Sequence, residues 1–181
     1  GSLQESQDVF DRLVVRDAVS WNALISGYAD QGLIKEALDC LEQMRCEGMH
    51  PDLGTFVCSL QASCGIHAIG ITQELHAEII KTGLLGYDIS IGNALVDMYG
   101  KCGALSHAQE LFEKLQYRDV DTWNALITSY IQNKQVNEAF SYFDKMQRAG
   151  LSPNVVTFVC ILKACSSIRA LCKGKEIHFS I

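Results

Sequence analysis

The stretch WNALISGY at residues 21–28 returns almost unchanged as WNALITSY at residues 123–130, 102 residues later. TFVC at 55–58 returns at 157–160, and His76 returns as His178, at the same displacement. A chain that repeats at a long fixed period has to be read first as an array of stacked units. The period subdivides: Asp17, Asp52, Asp88, Asp119 and Asn154 lie 35, 36, 31 and 35 residues apart, and the first three intervals together span 102 residues. Three kinds of short repeat thus follow one another in a set order, and the order then restarts.

Each repeat reads as a pair of helices. In 18–52, Trp21, Leu24, Ile25 and Tyr28 form an i, i+3, i+4, i+7 stripe, Gly32 breaks it, and Ile34, Ala37, Leu38 and Leu41 form a second stripe before Gly48 and Pro51. In 89–119 the break is Cys102-Gly103 and the second stripe is Ala108, Leu111, Phe112 and Leu115; in 120–154 the second stripe is Ala139, Phe140, Phe143 and Met146, ending at Gly150. Only two prolines, Pro51 and Pro153, interrupt the chain. One hairpin cannot bury both stripes, whereas stacked neighbours can. The expected fold is all-α: a right-handed α-solenoid superhelix of stacked helix-turn-helix hairpins.

Composition narrows the function. Of 181 residues, 48% are hydrophobic and 20% charged, which suits a folded chain, and no apolar run reaches the ~20 residues of a membrane helix. The net charge of −6 argues against a charge-driven duplex DNA binder but leaves room for a reader of base edges with few phosphate contacts. None of the eight cysteines (40, 46, 58, 64, 102, 160, 165 and 172) forms a C-x-x-C pair, so no zinc site is signalled and buried reduced thiols are expected. The start, GSLQESQ, reads as neither a signal nor a transit peptide.

The repeated amides carry the functional signal. Asn22, Asn93 and Asn124 each head an apolar run, and each is followed 26 or 30 residues later by a terminal Asp52, Asp119 or Asn154. About 100° from the apolar stripe, the asparagine is expected at the edge of its helix, outside the core, with the terminal residue stacked near it. Asparagine offers a donor and an acceptor and can match a base edge. A helix-capping role is the plainer reading for one such residue, but three in register, each with a terminal partner, favour recognition.

The consensus V-x-W-N-A-L-I-x-x-Y … G … E-A-x-x-x-x-x-M … G-x-x-P-[DN] closely resembles the pentatricopeptide repeat family, and NALVDMYGKCGAL with ILKACSSIRAL…GKEIH resembles the S and L repeats of its plant PLS subclass. The resemblance implies a partial S repeat at 3–17, P at 18–52, L at 53–88, S at 89–119, P at 120–154 and a truncated L at 155–181. It implies single-stranded RNA as partner, read one base per repeat by the fifth and last residues: uracil at Asn22 with Asp52, uracil or less strongly cytosine at Asn93 with Asp119, and cytosine over uracil at Asn124 with Asn154. Val57 with Asp88 is expected to space rather than read, Val159 shares that limit, and Asp17 lacks its asparagine. Val19 and Val156 are expected to wedge against bases, where Gly54, Ser90 and Asp121 depart from the pattern. Lys101 is the expected phosphate contact; its counterparts are Asp30, Gly65, Gln132 and Ser167.

No catalysis, cofactor or metal is expected. His76-Ala77-Glu78 matches the H-x-E of zinc deaminases but lacks P-C-x-x-C downstream, and CKGKEIH at 172–178 lacks the glycine and Ser/Thr of a phosphate loop. On the resemblance, the chain is the targeting part of an organellar C-to-U editing factor, of mitochondrion or chloroplast, working with helper proteins. The competing expectation is a protein-interaction solenoid that binds a peptide or helper. Self-association through the incomplete terminal repeat is a further expectation.

Overall fold

The computed structural model describes residues 3–62 and 69–167. Within them lie ten α-helices, one short 3-10 turn and no strand: α1 (Leu3–Asp11), α2 (Ala18–Asp30), α3 (Ile34–Cys46), α4 (Leu53–Ala62), α5 (Ile69–Thr82), the turn Leu84–Gly86, α6 (Ile89–Lys101), α7 (Leu105–Lys114), α8 (Val120–Gln132), α9 (Val136–Arg148) and α10 (Val155–Ser167). Four helix pairs fall one to each of the intervals 18–52, 53–88, 89–119 and 120–154. Cys64, Gly65, Cys172, CKGKEIH with its His178, and the end of the truncated repeat lie outside the described residues.

Each first helix begins at a capping residue. Asp17 Oδ1 accepts from the Ser20 backbone N–H at 2.8 Å while Ser20 Oγ accepts from the Asp17 N–H at 2.9 Å, a reciprocal cap. The helix ends where the chain turns left-handed: Gly32 (φ 71°) after α2 and Gly103 (φ 75°) after α6, with the Leu33 N–H reaching back to the Tyr28 carbonyl at 2.9 Å. After α8 the same turn is made by Lys134 at φ 63°.

The first helices pack in sequence, α2 on α4, α4 on α6, α6 on α8 and α8 on α10, and the second helices back them. Trp21, Leu24 and Ile25 of α2, Ala37, Leu41 and Met44 of α3, Trp123, Leu126, Ile127 and Tyr130 of α8, and Ala139, Phe140, Phe143 and Met146 of α9 are all buried. Removing these apolar stripes from water is the main stabilising term. The result is an α-solenoid.

The 102-residue period is visible in contacts. Phe10 meets Trp21 edge-on at 4.5 Å, and Phe112 meets Trp123 edge-on at 4.8 Å. Tyr28 donates to Gln7 Oε1 at 2.7 Å, and Tyr130 donates to Gln109 Oε1 at 2.9 Å. Arg16 and Arg118 cover Phe10 and Phe112 at 4.8 and 5.2 Å. One contact sets the α6–α8 packing apart: at Gly100 an added Cβ would fall 2.3 Å from Ser129 Cβ, so only glycine lets α6 approach α8 this closely. His76 serves this framework too, its Nδ1 lying 2.9 Å from the Tyr99 hydroxyl across the interface of α5 and α6.

Candidate nucleic-acid interface

The last residue of each repeat is the N-cap of the next first helix. Asp52 Oδ1 accepts the Thr55 N–H at 2.8 Å, Asp119 Oδ1 the Thr122 N–H at 2.8 Å, and Asn154 Oδ1 the Thr157 N–H at 3.0 Å. The geometry follows from helix starts, whose first N–H groups have no partner within the helix. Asn22, Asn93 and Asn124 are not caps: each is the fifth residue of its helix, and the caps of those helices are Asp17, Asp88 and Asp119.

Stacking brings the fifth and last residues of a repeat together. Asn22 Nδ2 donates to Asp52 Oδ1, Asn93 Nδ2 to Asp119 Oδ1 and Asn124 Nδ2 to Asn154 Oδ1, each at 3.2 Å. In every pair one oxygen of the terminal residue is used inward, by the helix start and by the asparagine. What is left outward differs. Asp52 and Asp119 keep Oδ2, an acceptor; Asn154 must turn its oxygen inward to cap, and so keeps Nδ2, a donor.

Burial alone would raise the Asp52 and Asp119 carboxyls, but hydrogen bonds from the next threonine and from Asn22 or Asn93 outweigh it, and both are held below the usual carboxylate range. Both are therefore ionised at neutral pH, and the outward oxygen is a charged acceptor.

One expectation needs correction. Asn124 is only 6% exposed and belongs to the buried polar set, rather than lying at an edge outside the core. Its oxygen accepts the Thr157 hydroxyl at 2.6 Å, so α10 closes over it. Asn22 and Asn93 are partly exposed.

Val19 and Val156, the second residues of α2 and α10, are 73% and 54% exposed, so two branched apolar side chains stand beside the pairs without a packing role. The counterpart Gly54 leaves space: an added Cβ would lie 3.0 Å from Asn22 Nδ2. Ser90 and Asp121 are exposed polar residues at the same place. Val57 occupies the fifth position of α4 and forms no polar pair with Asp88, whose Oδ1 instead accepts the Ser90 N–H at 2.8 Å and its hydroxyl. Lys101 Nζ is 2.6 Å from Asp97 Oδ2, an i, i+4 ion pair that a phosphate would have to share.

Thr55, Thr122 and Thr157 are part of the site although sequence reasoning passed over them. All three are fully buried. The signal was present as a terminal Asp or Asn followed three residues later by Thr, a capping spacing. Among the described residues no three His, Cys, Asp or Glu side chains converge as a metal site.

Known proteins share this pattern. The PPR repeat family matches residues 16–65 and 118–167, and a single PPR repeat matches 93–120. A chloroplastic pentatricopeptide repeat-containing protein of Arabidopsis thaliana is 36% identical over 97% of this chain and 22% of its own length; a mitochondrial one is 36% identical over 97% of this chain and 17% of its own. The chain thus spans about a fifth of these relatives. The structure of PPR10 in complex with an 18-nt psaJ RNA element superposes with a TM-score of 0.82 at 18% identity, over 94% of this chain and 26% of that one. Repeat length, helix pairing and family match agree: the chain belongs to the pentatricopeptide (PPR) repeat family.

Proposed function

We propose that the chain binds single-stranded RNA in a sequence-specific way, one base to each asparagine-bearing repeat, as the targeting part of an organellar C-to-U editing factor of the PLS subclass. The observation that carries the reading is the shared 3.2 Å pairing of Asn22–Asp52, Asn93–Asp119 and Asn124–Asn154, with the outward atom differing in kind. Where the last residue is Asp, an amide N–H lies beside an ionised oxygen. That donor–acceptor pair complements a uracil carbonyl beside N3–H. Where it is Asn154, both residues offer N–H, and two donors complement the adjacent acceptors O2 and N3 of cytosine. With the RNA 5′ end toward the N-terminal repeats, the preferred order is uracil, an unread base opposite Val57, uracil, cytosine. Val19 and Val156 wedge against the bases. PPR10 is crystallised with RNA, and the chloroplastic and mitochondrial names of relatives support an organellar site of action.

Affinity is modest, because the net charge is −6 and Lys101 is the single cation at its register position. Helper proteins that tighten the array, and self-association through the terminal repeat, fit that weakness. Gel-shift titration of short RNAs at low salt tests the reading. Adenine spacers carrying U, C, G or A at the three registered positions should bind best with uracil, uracil and cytosine. Guanine O6 and N1–H repeat the uracil pattern, so the guanine arm separates hydrogen bonding from base size. Exchange of Asn22→Thr should move its preference toward a purine. Absence of binding at low salt, or indifference to that exchange, refutes the RNA reading and favours a protein-binding solenoid.

A further inference from the structure

The three recognition pairs are wired differently behind the surface. Thr55 and Thr122 turn their hydroxyls to the terminal carboxylates, Thr55 Oγ1 to Asp52 Oδ1 at 2.9 Å and Thr122 Oγ1 to Asp119 Oδ1 at 2.8 Å. Asn22 Oδ1 and Asn93 Oδ1 are then buried and accept no hydrogen bond. Thr157 does otherwise. Its hydroxyl lies 2.6 Å from Asn124 Oδ1, closer than the 3.1 Å to Asn154 Oδ1.

The cause is competition for one proton. A hydroxyl has a single hydrogen to donate. A carboxylate oxygen is the stronger acceptor and holds it in the Asp-closed repeats. In the Asn-closed repeat the terminal oxygen is neutral and already takes the Thr157 N–H and the Asn124 Nδ2–H. The amide oxygen of Asn124 is the better remaining acceptor. Asn124 is consequently held at both ends, Oδ1 by Thr157 and Nδ2 by Asn154, whereas Asn22 and Asn93 are held at Nδ2 alone.

We propose that Thr157 is a positioning residue of the interface: through its hydroxyl it fixes the Asn124 amide, and the identity of the last residue of a repeat decides whether the buried threonine locks its asparagine. The last residue therefore acts twice, by the atom it presents and by the proton it leaves free. This rests on the proposed base reading for its consequence in binding, but the lock itself is a property of the free protein.

The test has one arm without RNA and one with it. Side-chain 15N relaxation on the full chain should give Asn124 a higher order parameter than Asn22 and Asn93. Thr157→Val, equal in shape, should lower it to theirs, and Thr157→Ser should restore it. Asp119→Asn should free the Thr122 hydroxyl and raise the order of Asn93. In the RNA arm, Thr157→Val should weaken binding to cytosine at the Asn124 position by about 3- to 10-fold. Thr157→Ser should recover it. An Asn124 amide no more ordered than Asn22 and Asn93, one unmoved by Thr157→Val, or an Asn93 amide unmoved by Asp119→Asn overturns the proposal. Wild-type binding without base preference would sink the RNA reading instead, and the relaxation data would still decide the lock.

Discussion

The sharpest perturbation is Asp52→Asn, because outward it changes one atom and inward only the acceptor of the Thr55 hydroxyl, which now lies 2.9 Å from Asp52 Oδ1. The inward oxygen that accepts the Thr55 N–H at 2.8 Å and Asn22 Nδ2 at 3.2 Å is retained in asparagine. Asp and Asn are near-equal caps and the freed Thr55 hydroxyl can turn to Asn22 Oδ1, so the main cost is the lost charge at the helix start, about 0.3–1 kcal/mol. Outward, Oδ2 becomes Nδ2. A uracil N3–H that met a charged acceptor now meets a donor. A hydrogen bond to a charged group contributes about 1.5–3 kcal/mol net, so affinity for uracil at this position should fall about 10- to 150-fold. Cytosine, with acceptors at O2 and N3, should gain, and the preference should reverse. Fluorescence anisotropy with RNAs differing only at that nucleotide measures the ratio, and a thermal melt checks the fold. A uracil-to-cytosine ratio unchanged within about 2-fold refutes the outward-atom argument. A melting loss above about 2 kcal/mol would show instead that the carboxylate is needed chiefly as a cap.

Three further outcomes follow from the same geometry. Gly100→Ala would set a Cβ 2.3 Å from Ser129 Cβ, and parting α6 from α8 should cost about 2 kcal/mol, lowering Tm by about 4–8 °C, with Ser129→Gly restoring part of it in calorimetry. Lys101→Gln should reduce the slope of log affinity against log salt by about 0.7 if the lysine leaves Asp97 for a phosphate, and an unchanged slope would keep it as a structural pair. The Asp119 carboxyl is lowered from 3.8, so the stability it contributes is complete above that value and lost as pH falls through the folded pKa. Melting and uracil preference should therefore hold level from about pH 8 to 5 and decline below about pH 4, and a midpoint near pH 6 would contradict the assignment.

Much of the scaffold was legible because helical period and repeat length are local or simply recurrent. Trp21, Leu24 and Ile25 were marked by spacing and are buried, and Gly32 and Gly103 end their helices as marked. The terminal residues were recognisable as partners of the asparagines because stacking repeats one geometry. Other features depend on what lies across an interface. Gly100 looks like a weak helix residue until Ser129 is seen against it. Tyr28 sits on the apolar stripe yet stays partly exposed, whereas Tyr130, with the same kind of hydroxyl bond, is buried against Tyr142, which stacks on it at 5.2 Å where the earlier unit has Cys40. The burial of Asn124 and the turn of the Thr157 hydroxyl depend on the order of acceptor strengths in a small cluster, which no spacing encodes.

On the proposed base reading, the sharing of one side chain between a helix start and an asparagine pair limits how such an array can change its target. Whatever replaces Asp52, Asp119 or Asn154 must still begin the following helix, so substitutions are drawn from the few short polar residues that can do so. A retargeting change that reaches outside that small alphabet, to leucine or valine for instance, would be met first as a folding defect of the next repeat. Evolution and protein engineering alike would then explore base preference along a path already filtered by foldability.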